Sequence, residues 1–133
     1  MCRMCLTICF GLALVCNFGC GPAQNGPAPS ASVNGTVTID GKLIPTGEIH
    51  FGMPGVPPSA LSITNGTYSG QAPIGKNQVE VFIYIESPPS DKYGGERTKI
   101  NTTPSRYWGP NTELKAEVTA GGPNEFKFDI SSR

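Results

Sequence analysis

Apolar and polar residues alternate with a period of two along much of this chain. Between positions 33 and 39, valine, glycine and isoleucine occupy every second position, with asparagine and threonine between them. Successive side chains of a strand point to opposite faces of a sheet, so this pattern indicates a strand with one buried face. Helical spacing is hard to find anywhere in the chain. We therefore expect an all-β domain.

Turn residues divide the alternating segments into short strands. Asp40-Gly41 and Asn65-Gly66 predict two hairpins, because both pairs tolerate the positive φ angles of tight turns. A proline-rich stretch at 53–59 predicts a loop before a short strand at 61–64. Residues 78–86 are apolar on both faces and predict the longest, central strand. Together the segments predict an antiparallel β-sandwich of about seven strands.

The C-terminal third contains one long irregular segment and two more strands. Residues 87–110 are rich in proline, glycine and mixed charges, which predicts a loop longer than most ordered connections. Alternation returns at 112–119 and at 125–130, on either side of a Gly-Gly-Pro-Asn turn. We expect these two strands to form a C-terminal hairpin with one solvent-facing side.

The N-terminal segment predicts export. All five cysteines lie within the first twenty residues, and an apolar run from 4 to 16 follows Arg3. This run is shorter than the roughly 20 residues of a transmembrane helix and fits the apolar core of a signal peptide. The predicted signal peptide covers residues 1–19.

Cys20 is the predicted lipid attachment site. The small residue Gly19 precedes it, and cleavage between them leaves Cys20 as the new N-terminus. No cysteine follows, so the domain holds no disulfide, and a lone retained cysteine is best explained as an attachment point. Residues 20–32 form a flexible tether rich in proline, glycine, alanine and serine, and the β-domain covers 33–133. The alternative is secretion after cleavage near 28–31.

Charge and composition disfavour several kinds of partner and chemistry. The chain has ten basic and ten acidic residues, and loss of Arg3 with the signal leaves a net charge near −1. Nothing in this balance recruits nucleic acid or anionic lipid. The single histidine, His50, has Glu48 beside it on one strand face but no third ligand, so we predict no metal, no cofactor and no catalytic residues.

Five aromatic residues make the best case for a ligand or partner contact. Phe82 and Tyr84 lie on one face of the long predicted strand, whereas Tyr93, Tyr107 and Trp108 fall in the long loop. If they are exposed together, they form an anchor for a protein or stack on sugar rings. The alternative is that Tyr107 and Trp108 close one end of the domain and Phe82 packs beneath the loop.

Four segments resemble a known family. Val33 to Phe51, Asn65 to Tyr68, Ala72 to Lys76 and Pro104 to Tyr107 occur in an order similar to that of carboxypeptidase-regulatory-like domains. The resemblance implies a transthyretin-like sandwich. Taken with the leader, the chain resembles small bacterial lipoproteins that carry one such domain. In metallocarboxypeptidases this domain is an accessory beside the catalytic unit, so the resemblance implies no enzymatic activity.

Three hypotheses for function follow. The first is a non-catalytic module of the bacterial cell envelope, held at the membrane by its N-terminal lipid, which contacts an envelope protein or cell-wall polysaccharide. The second is a sandwich that binds carbohydrate or a small ligand and presents exposed aromatic residues. The third is a small hydrolase, which requires acidic side chains around His50. As an alternative to this location, the protein is secreted without a lipid anchor.

Overall fold

The structure is a computed structural model that describes residues 26–133. The predicted signal peptide, Cys20 and the first part of the predicted tether lie outside the described residues. Within residues 26–133, the chain forms ten strands and two 3-10 turns, with no α-helix. The strands are β1 (Ser30–Ile39), β2 (Lys42–Leu43), β3 (Thr46–Met53), β4 (Val56–Thr64), β5 (Thr67–Pro73), β6 (Gly75–Phe82), β7 (Tyr84–Glu86), β8 (Lys99–Asn101), β9 (Lys115–Val118) and β10 (Glu125–Ile130).

Eight of these strands form one curled, largely antiparallel sheet. Their order is β10-β1-β5-β4-β3-β6-β9, and β2 pairs with the end of β1. Strand β10 is the exception in direction, because it runs parallel to β1. Strands β7 and β8 form a separate two-stranded sheet. The predicted all-β class with antiparallel pairing is therefore confirmed.

Both predicted hairpin turns are confirmed. Asp40 and Gly41 have φ angles of 49° and 76°, and they connect β1 to β2. Asn65 and Gly66 have φ angles of 50° and 73°, and they connect β4 to β5. Asparagine, aspartate and glycine reach this left-handed region at low cost, which explains why the local sequence identifies these turns.

The buried core contains side chains from strands that are far apart in the order of the curled sheet. Phe51 of β3 packs against Tyr68 of β5 at 5.9 Å and against Phe126 of β10 at 6.2 Å between ring centres. Each fully buried aliphatic or aromatic side chain contributes roughly 1.5–3 kcal/mol. The largest side chains with almost no exposure are Phe51, Ile44, Ile49, Ile63, Ile130, Val37, Val79, Val81 and Val118.

The predicted C-terminal hairpin is wrong. Strand β9 pairs with β6, whereas β10 pairs with β1 at the opposite end of the sheet. Asn124 anchors the connection between them: its Oδ1 accepts a hydrogen bond from the Thr119 N–H at 2.9 Å, and its Nδ2 donates to the Ser32 carbonyl at 3.1 Å. Alternation indicates which face of a strand is buried, but it does not indicate which other strand pairs with it.

The long strand predicted at 78–86 is divided in two. Strand β6 ends at Phe82, and β7 leaves the large sheet to pair with β8. At the break, the Ile83 N–H donates to Thr103 Oγ1 at 2.7 Å, and the Ile83 carbonyl accepts from the Thr102 N–H at 2.8 Å. At Ile83, hydrogen bonds to the loop residues Thr102 and Thr103 therefore replace the backbone hydrogen bonds that would continue the sheet. The longest strand is β1, with 10 residues.

Two predicted loops contain strands. Strand β4 begins at Val56 rather than at 61. Its two prolines, at positions 57 and 58, lack a backbone N–H, and they lie between Val56 and Ser59, which both pair with residues of β3. The segment 87–110 includes β8 and 3-10 turns at Asp91–Tyr93 and Ser105–Tyr107. The sheet itself begins at Ser30, which pairs with Pro73, rather than at the predicted boundary of 33.

Candidate binding surface

The outer face of β3 and β6 carries polar and aromatic side chains. In the register of these strands, His50 lies opposite Glu80, and Glu48 lies opposite Phe82. Cross-strand partners share a face of the sheet, so these four side chains lie together. Alternate residues of both strands are buried in the core, as the full burial of Val81 illustrates. The alternation thus separates a face that packs in the core from an outer face.

Aromatic rings cover the middle of this outer face. The Phe82 ring centre lies 4.8 Å from that of His50 and 6.4 Å from that of Trp108. The Tyr84 ring lies 6.3 Å from Phe82 and is nearly parallel to it, at 8°. We call His50, Phe82, Tyr84 and Trp108 the aromatic face. Three of the five predicted contact residues are thereby brought together.

Trp108 is partly exposed and held in place. About 40% of the surface of this residue is accessible to solvent. The indole Nε1 donates a hydrogen bond to the Thr103 carbonyl at 2.9 Å, and the next residue, Gly109, donates its N–H to Glu80 Oε1 at 2.6 Å. These two hydrogen bonds therefore orient the Trp108 ring, and part of the residue remains exposed to solvent.

Tyr107, unlike the adjacent Trp108, is not on the surface. It is buried, and its hydroxyl accepts a hydrogen bond from the Ser131 N–H at 3.1 Å. The Arg106 guanidinium lies 4.9 Å from the centre of its ring. Tyr107 therefore belongs to the core and not to the contact surface. Tyr93 lies in the first 3-10 turn, and its side chain is outside the described residues.

His50 lies between two carboxylates. Its Nε2 is 3.2 Å from Glu48 Oε2, and its Nδ1 is 3.9 Å from Glu80 Oε2. The acids that the hydrolase hypothesis requires near His50 are thus present, but they lie at opposite ring nitrogens and do not converge on one point. Within residues 26–133, no group of three histidine, cysteine, aspartate or glutamate side chains is arranged to hold a metal ion.

Glu80 is the residue of this surface that sequence reasoning placed least well. The local sequence pattern does not reveal that Glu80 lies beside His50 and the loop that carries Trp108. Both contacts depend on strand register and on the path of the loop. The only local signal was its position two residues before Phe82 on the same strand face.

Tyr84 borders the aromatic face at its β7 end. Partial desolvation and, secondarily, the negative charge of Glu48 raise the pKa of the Tyr84 hydroxyl. The Lys99 ammonium lies 6.0 Å from the centre of its ring. Tyr84 therefore presents a neutral hydroxyl as a hydrogen-bond donor, and its ring faces a cation of the chain itself.

An open cleft adjoins the aromatic face at its other end. It has a volume of about 270 Å³, and Glu80 forms part of its wall. Gly52 contributes no side chain to the cleft, which leaves space above β3 at this point. We call it the Glu80 cleft. Its lining includes Gly52, Met53, Val56, Pro58, Glu80 and Pro110.

The chain matches no protein-family model, no curated protein and no solved structure. In the part of the chain that the structure describes, no helix has the length and apolar character needed to cross a membrane. The chemistry of the aromatic face and of the Glu80 cleft is therefore the basis for a functional proposal.

Proposed function

We propose that this protein is a non-catalytic module of the bacterial cell envelope, anchored by a lipid on Cys20, that contacts a partner protein or polysaccharide through the aromatic face. One observation carries the contact: Trp108 is 40% exposed and packs in a row with Phe82 and Tyr84. An exposed aromatic side chain that packs beside half-buried aromatic rings is typical of binding surfaces.

The aromatic face is suited to binding because it is already ordered. Phe82 lies in β6, and the Thr103 carbonyl and the Glu80 carboxylate hold the Trp108 loop against that strand. Binding a partner then costs little side-chain or loop entropy, which is the usual reason that rigid aromatic anchors contribute strongly to affinity.

The transthyretin-like sandwich and the resemblance to carboxypeptidase-regulatory-like domains form part of this proposal. Strands β4 and β5 are paired at Thr64 and Thr67 only, so the curled sheet is nearly divided at that point. The contacts of Phe51 with Tyr68 and Phe126 connect the two resulting halves face to face. Both observations favour a two-layered sandwich, and the resemblance favours an accessory role over catalysis.

The lipid anchor is supported by the sequence before β1. Gly19-Cys20 provides a small residue followed by the cysteine, and no further cysteine occurs up to Arg133. A fully extended chain spans at most roughly 3.3–3.6 Å per residue, which sets the greatest reach of the segment between Cys20 and Ser30. This length separates the sheet from a membrane surface and leaves the aromatic face free to meet a partner.

The second candidate function is the binding of carbohydrate or a small ligand. The exposure of Trp108 and the parallel rings of Phe82 and Tyr84 favour it, because such rings stack on the apolar faces of sugars. The hydrolase hypothesis has less support, since the carboxylates of Glu48 and Glu80 lie at opposite ring nitrogens of His50 and do not converge on one point. If the protein were a hydrolase, His50→Ala would abolish a measurable activity.

The test is site-specific photo-crosslinking in the native host. A photoreactive side chain is placed at position 108 in one variant and at position 43 in a control, since Leu43 is 57% exposed and lies on β2. We expect a discrete adduct with an envelope protein or polysaccharide from position 108 alone. Equal adducts from both positions, or none from position 108, would contradict a contact through the aromatic face.

A further inference from the structure

The Glu80 cleft has mostly apolar walls, one carboxylate and the neutral polar residue Gln78. Among the described residues that line it, only Glu80 carries a charge, and Met53, Val56, Pro58 and Pro110 supply apolar surface. Ligand pockets for drug-sized molecules have volumes of about 300–1,000 Å³. At about 270 Å³, this cleft is smaller and is matched to one side chain rather than to a chain of sugars.

The Glu80 carboxylate keeps acceptor capacity for a ligand. Oε1 accepts the Gly109 N–H, but Oε2 lies 3.9 Å from the nearest His50 nitrogen, which is too long for a hydrogen bond. The Glu80 side chain is 27% exposed. No lysine or arginine within residues 26–133 lies within 4.0 Å of it. A carboxylate therefore lines a mostly apolar cleft without a lysine or arginine partner in the part of the chain that the structure describes.

Two basic side chains line a neighbouring cleft and are not part of the lining of the Glu80 cleft. Lys115 lies opposite Gln78 in the register of β6 and β9. Together with Lys76 and Glu117, it lines the neighbouring cleft, where Glu117 supplies a compensating negative charge. The charge of the Glu80 cleft is thus negative, and its complement is a cation.

We propose that the Glu80 cleft binds the side chain of a lysine or arginine from a partner protein. The aliphatic stem of that side chain packs against Met53, Val56 and Pro58, and its charged end donates hydrogen bonds to Glu80 Oε2. Long basic side chains bury their stems in this way while keeping the charge paired. The inference rests on the proposed contact through the aromatic face and names the chemistry of the partner.

The cleft and the aromatic face form one continuous surface. Glu80 contacts His50 on one side and the backbone next to Trp108 on the other. A partner segment that places an arginine or lysine in the cleft therefore has its neighbouring residues over Phe82 and Trp108. The aromatic rings supply contact area, and the cleft supplies selectivity for a cation.

The test is an NMR titration of the full chain with N-acetyl-arginine N-methylamide. The probe N-acetyl-citrulline N-methylamide has nearly the same shape but no charge. We expect saturable shifts of the Gly52 and Gly109 amide signals with the arginine probe and none with citrulline. Glu80→Gln keeps an oxygen to accept the Gly109 N–H but removes the charge, and should weaken arginine binding about tenfold.

Two further variants separate the cleft from the surrounding surface. Gly52→Val fills the cleft without changing its charge, and it should abolish the shift of the Gly109 amide signal. The φ of Gly52 is not positive, and an added Cβ would lie 3.6 Å from Pro58, an ordinary contact, so the backbone accepts this change. Glu48→Gln removes a charge from the same sheet face but outside the cleft, and it should leave arginine binding unchanged.

Several outcomes would overturn the inference: equal binding of citrulline, unchanged affinity of Glu80→Gln, or shifts at Gly52 with a chito-oligosaccharide in place of arginine. The inference and the proposed function fail separately. If arginine does not bind while position 108 still crosslinks, the choice of ligand is wrong and the contact surface stands. If arginine binds but position 108 does not crosslink, the proposed contact is wrong and the cation site stands.

Discussion

The carboxylate of Glu80 accepts a hydrogen bond from the backbone N–H of Gly109 at 2.6 Å, and this contact joins strand β6 to the loop that carries Trp108. A hydrogen bond to an ionised acceptor is roughly twice as strong as a neutral one. Glu80 also provides the charge of the Glu80 cleft. One side chain therefore orders the aromatic face and sets the chemistry beside it.

Glu80→Ala should loosen the Trp108 loop. Trp108 is the single tryptophan of the chain, so intrinsic fluorescence reports on this residue alone. Without the Glu80–Gly109 hydrogen bond, acrylamide should quench the fluorescence more strongly than in the wild-type protein. Glu80→Gln is the matched control, because its amide oxygen still accepts the Gly109 N–H. Equal quenching in the two variants would show that this hydrogen bond does not position the loop.

Cys20→Ser should release the protein from the membrane fraction. Serine has no thiol to which a lipid is attached. The signal peptidase that processes lipoproteins requires a cysteine at this position, so it does not cleave the variant. Fractionation of the native host, with mass spectrometry of the N-terminal peptide, measures both effects. Cys16→Ser is the control, since bulky Val15 precedes that cysteine. A wild-type N-terminus near 28–31 without acyl chains would instead support the secreted alternative.

Gly35→Ala should destabilise the junction of β1 with β10. A Cβ at this position would lie 1.8 Å from the Phe126 carbonyl oxygen and 2.8 Å from the Tyr68 hydroxyl. Because backbone atoms cannot move aside cheaply, we expect a loss of about 1–3 kcal/mol or more in the free energy of unfolding. Urea denaturation measures the loss. Gly121→Ala is the control, since a Cβ there meets nothing within 4 Å.

Tyr68→Phe should change how stability depends on pH. Burial, with a smaller effect of the Glu125 charge, raises the pKa of the Tyr68 hydroxyl, which donates a hydrogen bond to the Phe126 carbonyl at 3.0 Å. The folded state therefore favours the neutral form. Below pH about 10 this stabilisation is fully present, and above it the unfolded state loses a proton first, so stability falls as the pH rises.

The phenylalanine variant lacks this proton as well as the hydrogen bond. It should be less stable than the wild-type protein by about 0.5–1.5 kcal/mol at pH 8, and the difference should shrink as the pH rises towards 11. Chemical denaturation at several pH values measures it. Tyr84→Phe serves as a comparison, because that side chain is far less buried. A difference that stays constant with pH would contradict the assigned role of Tyr68 burial.

Local patterns predicted much of the fold. The turns at Asp40-Gly41 and Asn65-Gly66 were predicted because the residues themselves tolerate positive φ. The buried face of β1 followed from alternation, as the burial of Val33 and Val37 confirms. The aromatic residues Phe82, Tyr84 and Trp108 were also identified, but the same reasoning grouped them with Tyr107, which the structure buries.

The amino-acid sequence by itself determined the all-β class, the tight turns and the inward face of most strands, because these depend on the conformational preferences and alternation of neighbouring residues. Only the tertiary structure decided that β10 pairs with β1, that Tyr107 is buried beside an exposed Trp108, and that Glu80 reaches Gly109. These features join residues that are distant along the chain, so their geometry depends on how the whole sheet curls and packs rather than on any local preference.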